Sequence, residues 1–339
     1  MIEQKLKIKN YKTNRNKVLI IAEIGINHLG NEKYCKKLIT EAKKSGADCV
    51  KLQIVNPDES YEKGTQSYSL FKKCRLSLES LKRINDFCKK KNILLFATPG
   101  DQDSLNIVKK LMFPLIKISS GLNSNRYLLN EILKLKLPLI VSLGMSSEIE
   151  SKKIYNYIKK KSNNFALLKC TSIYPALDKE LNLNTISKFK KIFNCTIGYS
   201  DHSLDDLPVL TAVSNGASII EKHFTTNKKL KVADHDISME PNEFKLMVKK
   251  IRRIEKILGS TSKFLNQNET INKKKFQRIL FSSVEIDKNE VLKIDKIFFK
   301  RPIKRKKYDI TANKYKDYLG KKLIKKISKN KQIGSNFLN

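Results

Sequence analysis

The chain has 339 residues, 40% of them hydrophobic, which is enough for a sizeable core and excludes wholesale disorder. No apolar run reaches the ~18 residues that a membrane span needs, and the N-terminus MIEQKLKIKNYKTNRNK lacks the apolar stretch of a secretory signal, so a cytoplasmic protein without a membrane partner is expected. The formal charge is +36, but 60 of the 69 basic residues are Lys and only 9 are Arg, and no aromatic–basic interleaving accompanies them; a compositional drift that also favours anionic ligands explains this better than a nucleic-acid surface.

In chain order, residues 1–17 form a basic extension. Short apolar runs then recur: VLIIAEI (18–24), DCVKLQI (48–54), ILLFAT (93–98), LIKIS (115–119), PLIVSL (138–143), ALLKCT (166–171), CTIGYS (195–200) and SIIEKH (218–223). Amphipathic stretches such as NEKYCKKLITEAKKSG lie between them, often closed by Gly or Asn, as at Gly46 and Asn92. Eight strand–helix units within 18–258 predict a (β/α)8 TIM barrel. A doubly wound sheet is the alternative; it normally needs fewer strands, and no glycine-rich dinucleotide fingerprint follows the first. The segment 55–76 after strand 2 is long enough to be an active-site loop. Residues 259–277 read as a polar linker. Residues 278–339 read as a separate small module of short alternating strands, the most densely basic part at about +12. The six cysteines form no C-x-x-C pair, which fits reduced, scattered thiols.

Barrel enzymes work where the strands end at their C-terminal edge. The strand ends here carry Glu23; Lys51 and Gln53; Thr98; Lys117, Ser119 and Ser120; Ser142; Thr171 and Ser172; Ser200, Asp201 and His202; and Glu221 and His223. Lys51 and Lys117 lie inside apolar strands, where an unpaired ammonium is costly. They either pair with Glu23 or Glu221 as structural salt bridges or, among the hydroxyls of Thr98, Ser120, Ser142 and Ser200, bind a phosphate and a carboxylate. His202 and His223 end adjacent strands, whose spacing of about 5 Å lets two imidazoles share a divalent metal. Glu221, Asp201 or Asp234 are further candidates around that metal, and His28 and His235 lie close enough in sequence to reach the same rim. Such a set suits joining a phosphoenol to a carbonyl carbon.

The blocks IAEIGINHLGN, GADCVKLQ, FATPGDQDSL, IKISSG, IVSLGMSS, LLKCTSIYPA, IGYSDHS and EKHFT…ADHDISMEP, in this order, resemble the N-acetylneuraminate (sialic acid) synthase family, which includes the legionaminic and pseudaminic acid synthases and spore-coat polysaccharide enzymes. Residues 278–339 resemble, more weakly, that family's antifreeze-like (β-clip) domain. The resemblance implies condensation of phosphoenolpyruvate with an N-acetylated aminosugar aldehyde, N-acetylmannosamine or a 2,4-diacetamido hexose, to a nine-carbon 2-keto sugar acid and phosphate. It implies that His202 and His223 hold a divalent metal, usually Mn2+, with Mg2+ or Co2+ as alternatives. Lys51, Gln53, Thr98, Lys117, Ser120, Ser142 and Ser200 are then expected to line the phosphoenolpyruvate seat, with Ser172 and Tyr174 contacting substrate nearby. Glu23 acts at C2, and Asp234 and Glu221 support the metal and its water. A domain-swapped homodimer is implied too, in which Arg301 of one chain reaches the sugar's N-acyl end in the other.

The sugar half departs from the family pattern. Leu122 stands where the sialic acid synthases carry a glutamate, so either Asn123 substitutes, the acceptor sugar differs, or sugar activation is weak. Leu143 replaces a usual threonine and Ser172 an asparagine, and IKRKKYD replaces the glycine-rich loop after Arg301-Pro302. Three functions are therefore in view: the synthase, a relative of the same chemistry with another aldehyde or weak activity, and, remotely, a basic nucleic-acid-binding protein.

Overall fold

The computed structural model describes residues 6–8, 17–230 and 232–339. It divides into two compact units, one ending at Gly259 and the other spanning Ser260–Asn339.

The first unit runs β1 (Leu19–Gly25), α1 (Glu32–Lys44), β2 (Cys49–Ile54), α2 (Pro57–Ser60), α3 (Gln66–Cys74), α4 (Leu78–Lys90), β3 (Leu94–Pro99), α5 (Gln102–Leu111), β4 (Ile116–Ile118), α6 (Arg126–Lys134), β5 (Leu139–Ser142), α7 (Glu148–Lys159), β6 (Phe165–Cys170), α8 (Asp178–Leu181), α9 (Asn184–Ile192), β7 (Thr196–Asp201), α10 (Leu207–Ser214), β8 (Ile219–His223) and α11 (Pro241–Leu258). The eight strands close into a parallel barrel in sequence order, β8 returning to β1 with Glu23 opposite His223. It is the expected TIM barrel and not a doubly wound sheet. Strands buried on both faces explain the near-continuous apolar runs.

The helices form where caps and stripes coincide. In α1 the Asn31 side chain accepts from the Tyr34 N–H, and Cys35, Leu38, Ile39 and Ala42 make the buried stripe. Ser147 and Glu150 form a capping box at the start of α7. Lysines close the helices: Lys43 and Lys44, Lys89 and Lys90, Lys109 and Lys110. They oppose the negative end of the helix dipole. In this topology helices run back against the strands, so these charges gather on the face opposite the strand C-termini, and much of the basic excess is a helix-end device. No helix among the described residues is long and apolar enough to cross a membrane. All six cysteines are buried, none in a disulfide.

Residues 55–76, expected as a loop, carry α2 and α3. Residues 259–277 are not wholly a linker: α12 (Gln267–Phe276) lies within them, opened by an Asn266–Glu269 capping box and burying no residue. A polar helix without an apolar stripe leaves no periodic signal, although its cap is readable. The rest of the second unit pairs β9 (Ile279–Ser282) antiparallel with β10 (Ile297–Lys300). Its own small core includes Leu280, Ile286, Leu292, Ile297, Ile310, Leu323, Ile327 and Ile333.

Candidate active site

Strand side chains alternate between faces, so residues two apart on one strand share a side. Glu23, Lys51 and Gln53, Thr98, Lys117, Ser142, Cys170, Ser200 and His202, and Glu221 and His223 all line one open cavity of about 570 Å3 at the C-terminal edge. Ser119, Ser120, Leu122, Ser172 and Tyr174 line it too.

The floor is a four-charge cluster. Lys51 Nζ lies 3.1 Å from Glu23 Oε2 and 3.2 Å from Glu221 Oε1. Lys117 Nζ lies 3.2 Å from the same Glu221 oxygen and donates to Ser142 Oγ at 2.7 Å. Ser200 Oγ donates to Glu221 Oε1 at 3.0 Å, and Gln53 Nε2 to Glu23 Oε1 at 3.1 Å. Both alternatives for the lysines are thus met in one place: they are ion-paired, and they face a cavity. Glu221 Oε2 is buried without a hydrogen-bond partner. Burial pushes Glu23 up to about 7, against the pull of Lys51. Glu221 is driven the other way despite its burial, because Lys117 and Lys51 hold its charge. Burial also opposes both ammoniums; the Glu221 and Glu23 charges raise Lys51 regardless, whereas Lys117, with Lys51 as a like-charged neighbour, is lowered. Two lysines beside Glu221 and a Glu23 raised toward its neutral form give a floor that suits an incoming anion.

Local backbone makes this geometry reachable. The β1–β2 register slips between Glu23 and Gly25, and Gly25 has φ +53°. A side chain there would be strained, and its Cβ would lie 3.1 Å from Glu23 Oε1. At the end of β5, a Cβ on Gly144 would sit 2.3 Å from Ser172 Oγ and 2.5 Å from Ser120 Oγ. Its absence lets the ends of β4 and β6 bring the Ser120 and Ser172 hydroxyls and the Cys170 thiol together. Ser120 Oγ accepts from the Gly144 N–H at 3.1 Å.

Beside the cluster, His202 and His223 present buried imidazoles with ring centres 5.5 Å apart. The His202 Nδ1–H donates to the Thr171 carbonyl at 2.7 Å. A carbonyl can only accept, so Nε2 keeps its lone pair. His223 Nδ1 is buried without a hydrogen-bond partner, Asp234 Oδ2 being 3.5 Å away, and burial lowers its proton affinity. Burial opposes a proton on His202 too, but Cys170 and the Thr171 carbonyl raise its affinity for one; with that proton released, His202 Nε2 and His223 Nδ1 are spare nitrogens that fit a divalent metal. Among the described residues no group of three or more His, Cys, Asp or Glu side chains converges as a cage, so the donor set is open. Tyr174 packs on His202 with ring centres 4.2 Å apart and meets His223 edge-on.

Several expectations are corrected. Asp201 does not face the imidazole pair; it points outward from β7 and pairs with Lys222, both fully buried. Glu221 gives Oε1 to the lysines and Ser200, while its Oε2 has no hydrogen-bond partner in the cavity that both imidazoles line. Asn123 does not replace the missing glutamate: its Nδ2 donates to Ser142 O, Gly144 O and Ser146 Oγ, which staples the loops beneath the cavity. His28 accepts from the Gly30 N–H and His235 meets Thr225, and neither lines the cavity. Arg301 lies in the second unit, as the sequence places it, with its exposed guanidinium 4.5 Å from the Phe276 ring centre. Cys170 was not singled out from sequence. Its thiol lies 3.9 Å from His202 Nδ1 and is drawn down to about 7, burial notwithstanding, by that imidazole. Also missed were Val55, Tyr61 and Phe71 of the 55–74 segment, and Met145.

Buried, ion-paired lysines and an imidazole pair at the C-terminal rim of a (β/α)8 barrel define an enzyme of the TIM-barrel class. A family model, the NeuB family, matches residues 38–263. The N,N'-diacetyllegionaminic acid synthase of Campylobacter jejuni is 35% identical over 322 residues, covering 90% of this chain and 95% of that protein. The human N-acetylneuraminate-9-phosphate synthase is 31% identical, covering 83% and 82%. The crystal structure of the N-acetylneuraminic acid (sialic acid) synthetase from Leptospira borgpetersenii serovar Hardjo-bovis, in complex with citrate, matches with a TM-score of 0.76 at 34% identity, covering 80% of this chain and 95% of that one. The chain belongs to the NeuB family and is a sugar-acid synthase of that type.

Proposed function

We propose that this synthase condenses phosphoenolpyruvate with the open-chain aldehyde of an N-acylated aminosugar, giving a nine-carbon 2-keto sugar acid and inorganic phosphate. The observation that carries this is the shared cavity: the Lys51–Lys117–Glu221–Glu23 floor adjoins the two imidazoles. Lys51 and Lys117 bind the carboxylate and phosphate of the phosphoenol, and the hydroxyls of Thr98, Ser120, Ser142 and Ser200 complete its hydrogen bonds. His202 and His223 would hold a divalent ion, Mn2+ by preference, which would supply Lewis-acid polarisation of the aldehyde oxygen. Tyr174, against both imidazoles, orients the sugar. The phosphoenol C3 attacks the aldehyde carbon, forming the new C–C bond. Water then adds to the oxocarbenium at C2. Glu23, poised near 7, accepts the proton of that water, and the tetrahedral intermediate collapses with loss of phosphate. Asp234 steadies His223. A second copy of the chain supplies Arg301 to the sugar's N-acyl end.

The test mixes purified protein with Mn2+, phosphoenolpyruvate and N-acylated aminohexoses. Phosphate and keto acid are expected in equal amounts, and only when metal, phosphoenolpyruvate and sugar are all present. Phosphate release that ignores the sugar would refute the condensation.

A further inference from the structure

Asn27 lies just past β1, is fully buried and does not line the cavity. Its side chain is given wholly to the segment that follows β8. Nδ2 donates to the Phe224 carbonyl at 3.1 Å and to Ser238 Oγ at 3.0 Å, and Oδ1 accepts from the Asp234 N–H at 3.1 Å. A carbonyl can only accept and a peptide N–H can only donate, so these partners fix which way the amide points. Ser238 Oγ, buried as well, donates in turn to the Asp234 carbonyl. Both peptide groups of Asp234, its N–H and its C=O, are thus held in one closed circuit through Asn27 and Ser238. Ala233, directly before it, holds φ +57°, an unfavourable backbone for a residue with a Cβ, so this course of the chain needs something to hold it. The segment also returns to its strand, the Met239 N–H donating to the His223 carbonyl at 2.9 Å. With its backbone pinned, Asp234 presents Oδ2 3.5 Å from His223 Nδ1, the nitrogen without a hydrogen-bond partner.

We infer that Asn27 is a positioning residue of this site: through its circuit with Ser238 it sets where the Asp234 carboxylate stands beside the spare nitrogen of His223. The inference rests on the metal reading above and goes beyond it, because it gives a role to a residue that does not line the cavity. A carboxylate held at that nitrogen adds negative charge where a cation binds. Without the amide the segment loses three hydrogen bonds at once, the carboxylate is no longer fixed, and the cation affinity of the site falls. A purely structural amide behaves differently: its loss costs stability and leaves cation affinity alone.

The experiment measures Mn2+ affinity by electron paramagnetic resonance, with Mn2+ alone and no substrate, in the full chain and in Asn27→Ala, Asp234→Ala and the double variant, circular dichroism confirming that each is folded. Asn27→Ala is expected to weaken Mn2+ binding by about tenfold, as groups that orient metal ligands do. Asp234→Ala weakens it too, and adding Asn27→Ala to Asp234→Ala weakens it no further, because the amide acts through that carboxylate. Ser238→Ala, which removes less of the circuit, takes the place of Asn27→Ala in the same cycle if that variant does not fold. Unchanged affinity in the single variant, or as large a loss in the Asp234→Ala background as in the parent, overturns the inference and leaves the metal reading standing. A parent that binds no Mn2+, or a His223→Ala variant that binds it as tightly as the parent, overturns both.

Discussion

Asp201 and Lys222 are register partners at the ends of β7 and β8, fully buried and ion-paired, and each immediately precedes one of the two imidazoles. Asp201 Oδ1 also accepts from Tyr199 Oη at 2.8 Å and from the Ser203 N–H at 3.1 Å. This outward-facing clamp fixes the two strand ends from behind, and so fixes the separation of His202 and His223 in front. Lys222→Met leaves Asp201 charged and unpaired, and is expected to cost about 3–5 kcal/mol in urea unfolding. Mn2+ affinity, read by electron paramagnetic resonance on the folded variant, is expected to fall about tenfold. Adding Asp201→Asn should recover part of the stability. Full Mn2+ affinity in the single variant would deny the clamp its positioning role.

His202→Ala and His223→Ala each remove one of the two proposed metal donors. Both are expected to abolish metal-dependent phosphate release while thermal unfolding shifts little, because each imidazole faces the cavity rather than the core. Bound Mn2+ counted by resonance separates metal loss from misfolding. Undiminished activity in His223→Ala would refute the metal assignment.

Glu23 gives a pH signature. Its carboxyl is raised to about 7 by burial against the pull of Lys51, so the folded state holds the proton more tightly than the unfolded chain does. Ionising it therefore costs stability: the loss begins above the ordinary carboxylate range and levels off above about 7. Glu23→Gln has no proton to lose. It should match the parent near pH 4–5 and exceed it by on the order of 2–3 kcal/mol at pH 8, with turnover reduced at both. A variant less stable than the parent at pH 8 would mean that the Lys51 pair outweighs burial.

Gly144 is a steric requirement rather than a backbone one, since the clash is with Ser172 and Ser120. Gly144→Ala is expected to cost about 1–3 kcal/mol of stability from overpacking and to raise KM for phosphoenolpyruvate by displacing Ser120. An unchanged KM would show that these hydroxyls do not contact it.

Much of this was legible in the residues. Eight apolar runs at strand spacing predict a barrel, and a barrel places Lys51, Lys117, Glu221 and both imidazoles on one rim. Parity was the underused signal. With Ser200 and His202 facing in, Asp201 must face out; with Glu221 and His223 facing in, so must Lys222. Of the three candidates Glu221, Asp201 and Asp234, this parity rules out Asp201. Leu122 was visible as a departure, but Asn123 could be dismissed only once its three hydrogen bonds were seen. Tyr61, Phe71 and Met145 were hidden because loop residues carry no period, and only packing reveals which of them reach a cavity. The helix Gln267–Phe276 buries nothing, so its Asn266–Glu269 cap is the one signal that distinguishes it from a polar linker.

The most direct measurement is a crystal structure with Mn2+ and phosphoenolpyruvate bound together. The expected result is a metal on His202 and His223, with the phosphoenolpyruvate anions hydrogen-bonded to Lys51 and Lys117 in the same cavity. Either ligand bound elsewhere, or the two in separate cavities, would contradict the proposed coupling.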